Sequence, residues 1–207
     1  VALDPGEPDV VLSRVDAFLT AGGPRFIEIN SDAPAGFGYG DGMAAVFQDL
    51  PVFRAFAQNR RVSYRPSAGA LIAAVRAAAP QAAPSPVFAI VDWADVGTRG
   101  DQEILREAFL REGLACLLAD PRELEVRDGR LWAGAQAVDV VYRRGVLSEL
   151  LERADEVRAF MRAYRERLAV FVNSFRCRLS EDKAFFALLT DEAFAHLLEP
   201  GERDLVA

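Results

Sequence analysis

Residues 14–30 read RVDAFLTAGGPRFIEIN. Two short runs of mixed polarity are separated by Gly22, Gly23 and Pro24, the composition of two strands joined by a tight turn. Asp16 falls on the first strand, and Glu28 and Asn30 fall on the second. Residues two apart on a strand face the same way, so Glu28 and Asn30 share a face. Pairing across the turn brings Asp16 beside them, with Arg14 flanking the group. Two carboxylates and an amide oxygen form a hard-oxygen set suited to Mg²⁺. A hairpin that only buried one side would have no use for acids at these positions.

Outward from this stretch, the chain has 207 residues, enough for one large or two small domains. Hydrophobic residues make up 51% and charged residues 27%, so a core can form. The formal net charge is −7, which argues against a nucleic-acid partner, since a duplex-binding surface needs a basic balance. The Arg60-Arg61 and Arg143-Arg144 pairs are too short to reverse it. No apolar run is long enough to span a bilayer and no secretory leader pattern is read, so no membrane association is expected. Cys116 and Cys177 stand far apart, which disfavours a disulfide framework and makes a cytoplasmic location the expectation. Cys116 sits in an apolar strand and reads as a small buried hydrophobe. His196 is the only histidine, so a His-based triad or His-rich zinc site is nearly excluded. The chain opens on Val1 and closes on Asp204-Leu205-Val206-Ala207, which reads as an excised piece of a longer protein.

After the hairpin, residues 31–42 form a loop rich in Gly, Asp and Pro. Asp41 is placed to cap a helix over 42–57, with Met43, Val46, Phe47, Leu50 and Phe53 at helical spacing. Pro51 warns of a break or kink in it. An Ala-rich helix is expected over 67–79. Residues 80–86, PQAAPSP, read as a stiff linker and the clearest internal boundary.

An α/β alternation follows. Residues 87–91 are a continuous apolar run, as for a strand covered on both faces. A helix over 101–113 ends at Gly113, and a second buried strand covers 114–118. Residues 124–132 form a hairpin with an Asp128-Gly129 turn. A third strand covers 138–142 and a long helix runs over 147–168, with Met43 and Met161 reading as helix-core residues. This order predicts an α/β fold, a Rossmann-like sheet flanked by helices, preceded by the N-terminal hairpin. No Gly-x-Gly-x-x-Gly follows the strand at 87–91, so a dinucleotide-binding domain is disfavoured.

Ligands of open α/β sheets collect at the carboxyl ends of the strands. Residues 98–103, TRGDQE, lie near that rim, although composition alone favours Asp101 as only a cap of the helix it opens, with the others solvated. Arg143 and Arg144, adjacent on a strand end, point to opposite sides. One could bind a carboxylate bidentately while the other stays in solvent. Trp93 and Trp132 read as packing residues.

The order Arg-x-Asp, turn, Glu-x-Asn-x-x-x-Pro-x-Gly (through Pro34 and Gly36) resembles the last metal-binding strand pair of ATP-grasp ligases. The sequence from that pair through the linker, the sheet, residues 138–144, residues 173–176 and Lys183 resembles the circularly permuted ATP-grasp proteins. These are similar to glutathionylspermidine synthetase and eukaryotic-type glutathione synthetase. The resemblance covers residues 14–198. The spacer after Asn30 is one residue longer than in the commonest version, which leaves the shape of residues 31–40 open.

The resemblance implies that Asp16, Glu28 and Asn30 bind Mg²⁺ bridging the ATP phosphates, and that Arg14 faces the reacting group. It places Ser31, Asp32, Arg99, Glu103 and Arg144 at the substrate, with Arg144 on its carboxylate, and Lys183 at the nucleotide. An ordinary exposed helix lysine explains Lys183 equally well. Three parts follow: residues 1–80 as an ATP-grasp piece, 87–175 as a Rossmann-like substrate domain, and 176–207 as the start of the returning ATP-grasp segment. The reaction implied is ATP-dependent ligation of a small carboxylate to an amine or thiol through an acyl phosphate. The nucleotide-binding lobes expected after Lys183 are not found, so the isolated chain is expected not to turn over ATP. A rival reading is a non-catalytic binding or assembly module with solvated acids.

Overall fold

The computed structural model describes residues 9–79 and 84–206. Residues 80–83 of the expected linker lie outside the described residues. The first strands are β1 (Arg14–Thr20) and β2 (Gly23–Asn30), an antiparallel pair. Gly23 has φ 105°, a left-handed value that a side chain resists, and it closes the turn.

The helix expected over 42–57 is two helices, α1 (Phe37–Asp49) and α2 (Pro51–Gln58). Proline cannot donate to a helical ladder, but it fits the first position of a helix. Leu50 is therefore extended and Pro51 restarts the chain as the opening residue of α2. Asp41 does not cap α1, which begins earlier, at a left-handed Gly36. Its carboxylate instead accepts the amides of Ser67 (2.7 Å) and Ala68 (2.9 Å), capping α3 (Ser67–Ala77), together with the Tyr64 hydroxyl. Met43 is 63% exposed and is not a core residue. The periodicity of Met43, Val46 and Phe47 marks a helix, but that face points outward, because α1 meets its neighbour through Gly38. A Cβ at Gly38 would lie 2.7 Å from the Asp101 carbonyl oxygen and 3.1 Å from Ile104 Cβ.

The central layer follows from β3 (Phe88–Val91), α4 (Arg99–Arg111) and β4 (Cys116–Ala119). A meander of β5 (Leu124–Arg127), β6 (Arg130–Ala133) and β7 (Gln136–Val138) comes next. Asp128 (φ 49°) and Gly129 (φ 70°) give its first turn the two left-handed residues that a two-residue hairpin needs. Then come β8 (Val140–Arg143), α5 (Leu147–Glu152), α6 (Arg158–Glu166) and β9 (Val170–Val172). The chain finishes with α7 (Arg178–Glu181), α8 (Ala184–Thr190) and α9 (Pro200–Val206).

Strands β4, β3, β8 and β9 lie side by side in that order, all parallel. The architecture is mixed α/β, a parallel sheet with helices on both faces. Alternation along β3 sorts the two cores. Phe88 and Ile90 pack with Val140, Tyr142 and Val172 under α3 and α4. Ala89 and Val91 pack with Val141 and Phe171 under α5 and α6, and the meander buries Leu124, Leu131 and Val138 on that side. Cys116 is buried, and burial pushes its thiol up to about 12, as befits a small apolar residue.

The single helix expected over 147–168 is broken. Arg153 and Glu156 close a turn, the Glu156 amide donating to the Arg153 carbonyl at 2.9 Å, and Val157 turns into the core at 1% exposure. The strand β9 was not foreseen, since three residues adjoining a helical pattern leave no period to read. No helix among the described residues is long and apolar enough to cross a membrane.

Gly38→Ala should force α1 away from α4. Overpacking of this kind costs about 1–3 kcal/mol, measured as a lowered midpoint of thermal unfolding.

Candidate active site

The register of the hairpin pairs Asp16 with Glu28 and Arg14 with Asn30, before a shift between Asp16 and Ala17. Residues directly opposite each other point to the same side, so the four polar residues form one face. The Arg14 guanidinium holds both oxygens of Asp16, at 3.0 and 3.3 Å, on an exposed surface. The Asn30 Nδ2 is buried and has no hydrogen-bond partner. Among the described residues no cluster of three or more His, Cys, Asp or Glu side chains forms. The donors are two carboxylates and one amide oxygen. That set fits Mg²⁺, which takes one or two carboxylates and fills the rest of its octahedron with phosphate oxygens and water. Each carboxylate oxygen carries two lone pairs, so the contact with Arg14 leaves Asp16 able to bind a cation.

The loop leaving Asn30 is gripped by the carboxyl end of the sheet. Asp101 is fully buried, and its carboxylate accepts the amides of Gly36 (3.0 Å), Gly38 (2.8 Å) and Tyr39 (2.9 Å) and Arg144 Nη1 (2.9 Å). It therefore caps α1, a helix sixty residues earlier, rather than α4. The Tyr142 hydroxyl donates to the Pro34 carbonyl at 2.7 Å. Asp32, 2% exposed, pairs with Arg143 Nη1 at 2.7 Å and accepts the Leu147 amide at 3.0 Å. Glu181 accepts the amides of Ser31 (3.1 Å) and Asp32 (2.5 Å).

Neither arginine of the pair stays in solvent. Arg143 is 0% exposed and Arg144 4%. The strand end where they sit is covered by the loop, so both sides are interior. Arg144 faces a polar cluster at the junction of β3 and β8. There Gln102 Nε2 donates to Asp92 at 2.6 Å. Burial pushes the Asp92 carboxyl up, over the opposing pull of the Trp93 amide and Arg144. Gln102 Oε1 and Arg144 Nε are buried and unpartnered, so this cluster retains an acceptor and a donor for something else.

The other expected positions are spread more widely. Ser31 is buried, its hydroxyl donating to the Cys177 carbonyl at 2.9 Å, so Ser31 and Asp32 build the floor of the loop. Arg99 and Glu103, expected at the substrate, belong to α4 and lie 3.6 Å apart on its exposed side. They border a shallow depression of about 570 Å³ with Leu117 and Leu118. Two helical positions are 200° apart, so Glu103 faces away from the side on which Asp101 meets Arg144. Lys183 is exposed at the start of α8. Trp93 packs in the core as expected. Asp92 and Gln102 are residues that sequence reasoning left without a role, and Asp101 was read there as a cap of its own helix. Their signal was the position of residues 98–103 at a strand's carboxyl end.

Burial pushes the Asp101 carboxyl up, but the amides of Tyr39 and Gly36 and the Arg144 guanidinium outweigh it and leave it below the usual range. A carboxyl lowered by folding contributes stability above its unfolded value, ~3.9, and loses it as pH falls through the folded value. Asp101→Asn should lower the melting midpoint at pH 7. It should also flatten the decline that the wild-type chain shows below about pH 4. Thermal melts between pH 2 and 7 measure both.

A search of curated proteins finds no match to the chain. Residues 8–200 match the model of a family described as a circularly permuted ATPgrasp. Membership of that family suggests ATP-dependent ligase function. The match spans most of the chain, and the chain belongs to the circularly permuted ATP-grasp family.

Proposed function

We propose that the chain supplies the metal-binding and acid-binding parts of an ATP-dependent ligase joining a small, peptide-like carboxylate to an amine or thiol. The observation that carries this reading is the cross-strand register that sets Arg14, Asp16, Glu28 and Asn30 on one face. Bound Mg²⁺ would neutralise charge on the ATP phosphates as the acid is activated. Asp16 and Glu28 offer carboxylates to the metal and Asn30 its amide oxygen. Arg14 orients Asp16 and would stabilise the charge that builds on the transferred phosphoryl group. Such chemistry asks for positioning and charge neutralisation rather than a side-chain nucleophile. It suits a chain with a single histidine.

The acid is assigned to the junction of β3 and β8, where Arg144 keeps a free Nε and Gln102 a free Oε1. A substrate carboxylate would accept from the guanidinium, and a neighbouring N–H would donate to the amide oxygen. Ser31 and Asp32 act by shaping the loop between this polar cluster and the hairpin. Lys183 is assigned to nucleotide phosphate on the family pattern, with its exposed position leaving it free to reach one. Arg99 and Glu103 are assigned to the outer border of the substrate entrance.

In the ligase that contains this chain, Glu28→Gln and Asp16→Asn should each reduce ATP turnover by about 10²-fold or more. The thermal midpoint should change little, because both residues are only half-buried. Turnover within twofold of wild type for either variant contradicts the assignment.

A further inference from the structure

Asn173 stands at the carboxyl end of β9, far in sequence from the hairpin, and its side chain is 1% exposed. Its amide oxygen accepts the backbone amides of Val11 (2.7 Å) and Leu12 (2.9 Å). Its amide nitrogen donates to the carbonyls of Leu12 (2.6 Å) and Ser31 (2.7 Å). A primary amide has two acceptor lone pairs and two N–H donors, so all four are used. The partners also fix which way the amide faces, since exchanging oxygen and nitrogen would oppose donor to donor and acceptor to acceptor.

The partners are what give this arrangement meaning. Leu12 lies two residues before Arg14, where β1 begins, and Ser31 lies one residue after Asn30, where β2 ends. One side chain therefore ties together both roots of the hairpin and fastens them to the central sheet. Most of the hairpin beyond the roots is exposed or half-exposed. Its direction is set mainly at the base, where Asn173 sits.

We propose that Asn173 is the positioning residue that aims the Arg14, Asp16, Glu28 and Asn30 face relative to the sheet. It touches neither substrate nor metal and acts through the hairpin roots. The proposal rests on the metal-site reading above for its functional consequence, but the anchoring itself does not.

The test uses the 207-residue chain and the isosteric variant Asn173→Asp. This variant keeps the oxygen facing Val11 and Leu12. It replaces the two donors with an oxygen facing two carbonyls. A control, Val141→Ala, lowers stability through the buried core without touching the roots. Hydrogen exchange is compared in the three proteins, and Mn²⁺ added alone is titrated by water-proton relaxation.

In Asn173→Asp, exchange across residues 14–30 should speed up about tenfold or more while β3, β4 and β8 keep their protection. Mn²⁺ affinity should fall about fivefold or more relative to both wild type and Val141→Ala. Unchanged hairpin exchange overturns the proposal. So does acceleration spread over the whole chain as in the control, because that marks a merely structural role. A loosened hairpin with undiminished Mn²⁺ affinity also overturns it. If the wild-type chain takes up no Mn²⁺, the metal-site reading fails, and the exchange comparison alone still decides whether Asn173 anchors the hairpin.

Discussion

The carboxylate of Asp101 is the joint on which the arrangement depends. It is buried, and what makes its charge tolerable is a full set of partners: the Gly36 amide at the end of the loop after the hairpin, the Gly38 and Tyr39 amides in the first turn of α1, and the guanidinium of Arg144. Through these contacts one side chain caps α1, holds the loop against the sheet and orients the arginine assigned to the substrate acid. Removing Arg144 would leave the buried carboxylate without its counter-charge, and removing Asp101 would leave Arg144 and three amides short of an acceptor, so these elements stabilise one another.

A second buried pair, Asp32 with Arg143, repeats the logic one residue over on β8, with Arg143 also donating to the Gly145 carbonyl at 2.8 Å. The two arginines diverge because adjacent strand residues face opposite ways, and each finds an acid brought by a different segment. The loop of residues 31–39 thus lies as a plug across the carboxyl ends of the strands, where an open sheet of this kind offers its binding crevice. Among the described residues, the cluster of Asp92, Gln102 and Arg144 keeps Gln102 Oε1 and Arg144 Nε without partners beneath it.

Much of this was legible in the residues. The apolar runs at 87–91 and 138–142 marked covered strands, and the Asp128-Gly129 turn marked its hairpin. The spacing of Asp16, Glu28 and Asn30 implied the shared face that the register shows. What was not legible depended on partners far away in sequence. Nothing local to Asp101 reveals that it caps α1 rather than its own helix. Nothing local to Asp41 reveals that it serves α3. Met43 has core-like spacing, but whether a helical face is buried is decided by the element packed against it, and α1 is packed through Gly38. The arginine pair read as half-solvated because the loop covering it belongs to another part of the chain.

The central claim is that the hairpin face holds a divalent cation. Crystals of the full-length protein, grown with Mn²⁺ and a non-hydrolysable ATP analogue, would test it by anomalous diffraction. The account predicts an anomalous peak bridging the carboxylates of Asp16 and Glu28, with the Asn30 amide oxygen in its coordination shell. A fully occupied nucleotide with its Mn²⁺ bound elsewhere, and no peak at this face, would contradict it.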